Sequence, residues 1–154
     1  MPQSANPLKQ FFRQPAIYMR LPSGGQFWPE GSLEMPPNRE LAVYPMTAID
    51  EISYRTPDAL FNGEAITQII KSCVPDILQP WAINNIDLDA ILIAIRIASY
   101  GPNLTFTVDC PECNTVNQYV QDLNYILNSI KLPDYNLPIE TQNLKIFIII
   151  TKII

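Results

Sequence analysis

Proline spacing limits what the first third of this chain can fold into more than any other feature of the sequence. A proline fixes φ and has no backbone N–H to donate, so it ends or kinks a helix. No long helix therefore fits before residue 46, because this part of the chain is interrupted by Pro15, Pro22, Pro29, Pro36, Pro37 and Pro45.

The residues between these prolines have the pattern of short strands. Apolar and polar side chains alternate through residues 17–21, which is the period of a strand with two different faces. The Ser-Gly-Gly that follows predicts a turn, with residues 26–28 returning as the partner strand. Residues 41–44 give a second extended piece. The sequence thus predicts an N-terminal arm at 1–15 and a Pro-rich β-layer at 16–45.

A helical part is predicted over residues 47–101. Thr47 and Asp50 have the spacing of a capping box, and Thr56-Pro57-Asp58 is a second helix start, with a hydroxyl N-cap and proline at the first position. Asn62-Gly63 interrupts that helix. The next apolar positions fall on one helix face, which ends before Pro75; they are Ile66, Ile69, Ile70, Cys73 and Val74.

The last helix of this part is predicted to be buried at the centre of the domain. Asp87 is expected to cap it, and Gly101-Pro102 to close it with a left-handed residue and a stop. Residues 90–98 between them are apolar except for Arg96. A helix without a polar face is a buried helix.

After residue 102 the sequence predicts a β-hairpin, a helix and a final strand. Residues 103–120 form the hairpin, with a half-buried first strand and a tip at Cys110-Pro111-Glu112-Cys113. Residues 122–130 form a helix capped by Asp122, and residues 144–154 an apolar strand. The expected fold class is α+β in a single domain, with the N-terminal β-layer, helices around a buried central helix, and the cysteine-tipped hairpin.

Composition excludes several classes of function. The net charge is −5 and the pI about 4.6, whereas nucleic-acid binding needs a basic face. The chain has no histidine, which removes the usual general base and the commonest metal ligand. The N-terminus lacks the pattern of a signal peptide. The longest apolar run is six residues, at 90–95, against about twenty for a membrane span.

The Cys110-x-x-Cys113 pair is the one arrangement typical of a metal site. A tight turn that aims two sulfurs at one point is half of a zinc ribbon. The simplest interpretation is a plain turn, since a closed site needs four ligands and only Cys73 remains. The alternatives are a zinc site completed by Cys73 with a carboxylate or across a dimer, and a redox pair, whose usual βαβ setting is missing.

The other charged residues have structural interpretations. Arg96 is expected to pair with Asp87 or Asp89, or to reach the surface along its own stem. The acid pair at Asp50-Glu51, like Asp87 and Asp89, lies at a helix N-terminus, where the macrodipole accounts for it. No catalytic triad or nucleotide fingerprint is present. We therefore predict no catalytic residue, no cofactor site and no enzyme.

Several stretches together resemble the baseplate hub subunit family of T-even-type myoviruses. The likeness covers residues 6 to about 130, and its specificity lies in the order and spacing of the stretches. They are residues 6–15 and 21–25, then 44–52 and 55–63, and finally 72–76, 87–89, 95–101 and 110–113.

The resemblance implies a non-catalytic role in phage tail assembly, as a baseplate hub subunit or an assembly chaperone. It implies partners among other tail or hub proteins, such as the tape measure protein, and a location in the host cytoplasm during assembly or in the tail baseplate. The alternative from another class is a small zinc-ribbon-like regulatory or nucleic-acid-associated module that uses Cys110 and Cys113.

The chain departs from the family at its C-terminus. Longer members continue past the strand that begins at residue 144, whereas residues 148–154 here are rich in isoleucine. We expect the last half-dozen residues to come from a frameshift or a truncated gene. The alternative is that these residues form an ordinary C-terminal strand inside the sheet. Translation of the downstream DNA in all three frames tests the expectation, and the absence of a family-like continuation would count against it.

Overall fold

The computed structural model describes residues 13–55, 63–132, 139–140 and 145–146, the last two pairs by their backbone pairing. Within these residues helices and small antiparallel sheets are mixed, which confirms the predicted α+β class. The strands are β1 (Ile17–Met19), β2 (Leu41–Val43), β3 (Asn103–Asp109), β4 (Val116–Asp122), β5 (Ile139–Glu140) and β6 (Lys145–Ile146). The helices are α1 (Ala48–Tyr54), α2 (Glu64–Cys73), α3 (Asn85–Tyr100) and α4 (Leu123–Ser129), with a 3-10 turn at Pro80–Ala82.

The N-terminal sheet pairs β1 with β2, not with residues 26–28. The register places Tyr18 opposite Ala42. The predicted return strand at 26–28 was wrong, because residues 22–27 are turns and Phe27 has a φ of 66°, which takes the backbone out of the extended region. The strand that pairs is the second extended piece, and its Leu41 and Val43 are fully buried.

The loop between β1 and β2 packs on the turn that follows α2. Leu33 forms a β-bridge with Ile77. The Ser32 carbonyl accepts from the backbone N–H groups of Leu78, at 2.9 Å, and Gln79, at 3.1 Å. Backbone hydrogen bonds therefore hold this loop against residues 77–79.

Helices α1 and α2 follow the sequence pattern closely. Thr47 and Asp50 form the predicted capping box of α1. In α2 the predicted apolar face is confirmed, since Ile69, Ile70 and Cys73 are buried. The start predicted at Thr56-Pro57-Asp58 lies outside the described residues.

Helix α3 is the centre of the core, as predicted. It packs against β1, β2, α2 and α4, and its buried residues include Ile91 and Ile95. Its cap differs from the prediction: the N-cap is Asn84, whose side chain accepts from the Asp87 N–H. At the other end Gly101 has φ 83° and ψ 172°, which is outside the left-handed helical region but still a conformation open mainly to glycine.

Candidate protein-binding surface

The hairpin of β3 and β4 presents one apolar face without a charged residue. Side chains opposite each other in an antiparallel pair lie on the same face, and the register pairs Leu104 with Gln121, Phe106 with Tyr119 and Val108 with Asn117. The Phe106 and Tyr119 rings stack with centroids 5.7 Å apart. We call these six residues the apolar hairpin face.

This face is open to solvent. Phe106 is 44% exposed and Tyr119 50%, and β3 is exposed along its whole length. The expectation of a half-buried β3 was therefore wrong. The alternation of apolar and polar residues is present, but no element in the described part of the chain covers the apolar side.

The opposite hairpin face is more polar. By the same register it carries Thr105 beside Val120 and Thr107 beside Gln118. Val116 and Val120 are its exposed aliphatic residues. Among the described residues β3 and β4 pair only with each other, so neither outer edge has a strand partner there.

The base of the hairpin is attached to the core, and this attachment sets the direction in which the hairpin projects. Asp122 accepts from the Asn124 N–H and caps α4, as predicted. The Leu123 N–H donates to the Pro102 carbonyl at 2.9 Å, so the two ends of the hairpin meet. Leu123 is buried, and Leu127 and Ile130 pack against the core. The hairpin is a projection with an anchored base.

The charge of the hairpin has one sign. Residues 103–122 contain Asp109, Glu112 and Asp122 and no lysine or arginine. Asp122 is used at the base as the α4 cap, whereas Asp109 and Glu112 are exposed near the tip. The distal end is therefore acidic.

The tip brings Cys110 and Cys113 together, as predicted, but not Cys73. The Cys110 N–H donates to the Thr115 carbonyl at 3.0 Å, and Asn114 takes a positive φ of 53° to close the turn. Cys73 is buried in the core cluster with Ile70 and Ile91, where burial raises the pKa of its thiol. The Cys73 sulfur therefore belongs to the core and lies apart from the tip pair.

The Cys113 thiol and the Cys73 thiol have pKa values shifted in opposite directions. The Thr115 hydroxyl, 3.2 Å from the Cys113 sulfur, holds the pKa of that thiol below its usual value, with help from the Thr115 backbone and the Cys110 side chain. Cys113 is exposed whereas Cys73 is buried, so Cys113 is the more reactive of these two thiols. Within the described ranges no three His, Cys, Asp or Glu side chains lie close enough to hold a metal ion.

Arg96 does not pair with Asp87 or Asp89. Its guanidinium lies 4.6 Å from the centroid of the Tyr100 ring and donates to the Gly101 carbonyl at 3.3 Å. The pairing was predicted from proximity in sequence, but Asp87 already has other donors. Arg96 instead follows its own helix toward the C-terminal end, where a cation is favoured by the macrodipole.

Asp87 has a role that the sequence analysis missed. Its buried carboxylate accepts from the Ser23 N–H at 2.9 Å, the Trp28 indole at 2.7 Å and the Asn84 side chain at 2.8 Å, and also from the Ser23 hydroxyl. It joins the β1–β2 loop to the start of α3. The available signal was Asn84 three residues before an acid, which is a capping pattern.

The acids Asp50 and Glu51 also have hydrogen-bond partners within the fold. Asp50 accepts from the Thr47 N–H and hydroxyl and from the Ser72 hydroxyl. Burial raises the pKa of Asp50, but these hydrogen bonds and nearby Arg13 lower it further than burial raises it, so it stays below its ordinary value. Glu51 accepts from the Tyr100 hydroxyl at 2.9 Å. Asp50 and Glu51 therefore each bind a group of the fold itself.

A concave surface, separate from the hairpin, lies between α1, α2 and α3. This cleft has a volume of about 660 Å³ and an apolar floor that includes Ile66, Leu92 and Ile95, with Arg55 and Arg96 in its lining. Exposed Ile49 and Tyr54 lie nearby on α1. Glu51 also lines this cleft, so its rim carries both positive and negative charge. The apolar hairpin face, by contrast, has no charged residue.

These surfaces define a class of protein: a small α+β chain whose accessible features suit contact with another macromolecule. The model of the family T4 bacteriophage base plate protein matches residues 45–148, more than half of the chain, and includes the hairpin. The chain therefore belongs to this family of phage baseplate proteins. No curated protein and no solved structure matches it. No helix in the described part of the chain is long and apolar enough to cross a membrane.

Proposed function

We propose that this chain acts without catalysis in assembly of the phage baseplate hub, as a hub subunit or as an assembly chaperone. Its membership of a baseplate family supports a structural role in the tail. The observation that carries the proposal is the apolar hairpin face, which the fold anchors at its base and leaves open along its length. Such a surface is typical of a protein–protein contact.

The proposed partners are other tail or baseplate hub proteins, with the tape measure protein among the candidates. The contact would form in the host cytoplasm during assembly. A hub subunit would then remain in the tail baseplate, whereas an assembly chaperone would leave. The net charge of −5 argues against direct binding to nucleic acid as the way this chain takes part in assembly.

Affinity purification from infected cells, combined with mass spectrometry of finished tails, tests the proposal. A tagged chain is expected to co-purify with baseplate proteins. Its presence in finished tails identifies a hub subunit, and its absence from them an assembly chaperone. Co-purification with no tail protein at any stage of infection would contradict both.

A hairpin-deleted variant is the matched control. Asn103 and Asp122 are paired at the base, so residues 104–121 can be replaced by a Gly-Gly turn that keeps the α4 cap. Its thermal unfolding verifies that the core is retained. We expect the folded variant to lose its tail partners, and retention of all of them would move the contact elsewhere on the chain.

The zinc-ribbon-like alternative depends on the proximity of Cys110 and Cys113 at an exposed tip. It requires two further ligands from a partner or a second copy, since a structural zinc has four. Metal analysis of the purified chain separates the two functions. Stoichiometric zinc that is lost in Cys110→Ser would favour the module, and a metal-free chain that still binds tail proteins would favour the hub role.

A further inference from the structure

We propose that the apolar hairpin face docks on a partner protein whose apolar surface is bordered by lysine or arginine where it meets the hairpin tip. The proposal rests on the proposed function and names the site and the chemistry of the contact. Its apolar part is Leu104, Phe106, Val108 and Tyr119. Its charged part is the tip, with Glu112 in the turn and Asp109 beside Val116 at the tip end of the opposite face.

Sheet physics argues that the hairpin is completed by another surface. An isolated two-stranded hairpin is marginally stable in water, and stable sheets have three or more strands or a covered face. Here seven residue pairs join β3 and β4, yet β3 is exposed throughout. Covering the apolar hairpin face would remove an aromatic pair and two aliphatic side chains from water, which is favourable at each of them.

Charge selects the partner. The tip offers two exposed carboxylates, and residues 103–122 carry no cation to neutralise them. Pairing of two hairpins from two copies would bring like charges together, which disfavours the contact. A partner with basic side chains beside an apolar surface meets both requirements, and its attraction to this acidic chain would speed the encounter.

Site-specific photo-cross-linking during infection tests the docking face. A benzophenone amino acid replaces Phe106 on the apolar hairpin face or, as the matched control, Val120 on the opposite face, where it is 64% exposed. Both positions are exposed, so both variants are expected to fold. The cross-linked peptide is then sequenced, which identifies both the partner and the surface that is contacted.

We expect position 106 to cross-link to a baseplate or other tail protein at an apolar segment with adjacent lysine or arginine, and position 120 to cross-link at least several-fold less. A cross-link to a second copy of this chain, equal yield from both positions, or a contact surface without basic residues would overturn the proposal. So would the absence of a cross-link at 106 while the chain still co-purifies with baseplate proteins, and that result would leave the proposed function intact. A cross-link from position 106 to a host protein with the stated chemistry would keep the docking face and contradict the hub role.

The charged part has its own test, with the partner that the cross-link identifies. The double variant Asp109→Asn with Glu112→Gln is expected to bind about two- to fivefold more weakly per charge removed. Its affinity should also depend less on salt, since fewer charges are left to be screened. Unchanged affinity and unchanged salt dependence would overturn the basic character assigned to the partner.

Discussion

The start of α3 and the β3–β4 hairpin contain similar kinds of residues but use them in opposite ways. At the start of α3 the buried Asp87 carboxylate has donors from the β1–β2 loop, and Leu41 and Ile91 in the core are fully buried. In the hairpin, apolar side chains at alternate positions remain exposed, and the free carboxylates lie at the tip. In the first region the carboxylate and the apolar side chains find their partners inside the protein. In the second, the same kinds of side chain are left exposed and can contact another protein.

Two strands show the same contrast. β1 and β3 both alternate, but Met19 on β1 and Leu21 just after it are buried, whereas Leu104 and Phe106 on β3 face solvent. The difference lies in what packs against the strand, since the local pattern is alike. Stability should therefore be concentrated around α3, and binding in the hairpin.

The largest loss of stability is expected on removing the Asp87 carboxylate. Asp87→Ala leaves the Ser23 N–H and the Trp28 indole without their acceptor inside the protein, which should cost about 3–5 kcal/mol. Chemical denaturation measures the change in the free energy of unfolding. The control is exposed Asp89→Ala, expected within about 0.5 kcal/mol. If the two substitutions lowered the free energy of unfolding equally, the buried hydrogen bonds of Asp87 would not be the source of the loss.

A cavity at the centre of the core should have the next largest effect. Ile91 is fully buried, so Ile91→Ala should lower the free energy of unfolding by about 2–4 kcal/mol through lost burial and a residual void. The same denaturation experiment measures it. A loss below about 1 kcal/mol would mean that α3 is less central than its packing indicates.

Acid should weaken the α1 cap. Because the pKa of Asp50 is lowered in the folded state, its contribution to stability is complete above the ordinary value of 3.8 and is lost as the pH falls through the lower folded value. Asp50→Asn should cost about 1–2 kcal/mol at neutral pH. The difference between the variant and the parent chain should shrink below pH 3.8, and a difference that stays constant there would contradict the assignment.

The smallest change in stability is expected in the hairpin. Phe106→Ala loses the stacking with Tyr119 and little burial, so it should cost no more than about 1 kcal/mol. Thermal unfolding checks this, alongside the binding assay in which the same variant should fail. A stability loss as large as that of Ile91→Ala would show that the hairpin belongs to the core.

Local patterns were enough to predict the capping box at Thr47, the buried face of α2, the position of α3 and the turn with both tip cysteines. Each depends on neighbours within one helix turn or one hairpin, where spacing alone decides the outcome. The α+β class follows from these elements.

Two of the errors involve contacts between distant parts of the chain. The partner of β1 comes from residues 41–43, beyond a long loop, and the donors to Asp87 come from Ser23 and Trp28. Arg96 was expected to find an acid nearby in sequence and instead lies over Tyr100. The openness of the apolar hairpin face was also missed, since alternation gives a strand two faces and does not say what covers them.

Hydrogen exchange of residues 103–122, in the free chain and in purified baseplate intermediates, tests most directly whether this protein acts through its hairpin. In the free chain these amides should exchange faster than those of α3, because a projecting hairpin opens locally at little cost. In the intermediates they should become protected by at least tenfold. Unchanged exchange in the hairpin, with new protection appearing at another surface, would contradict the account.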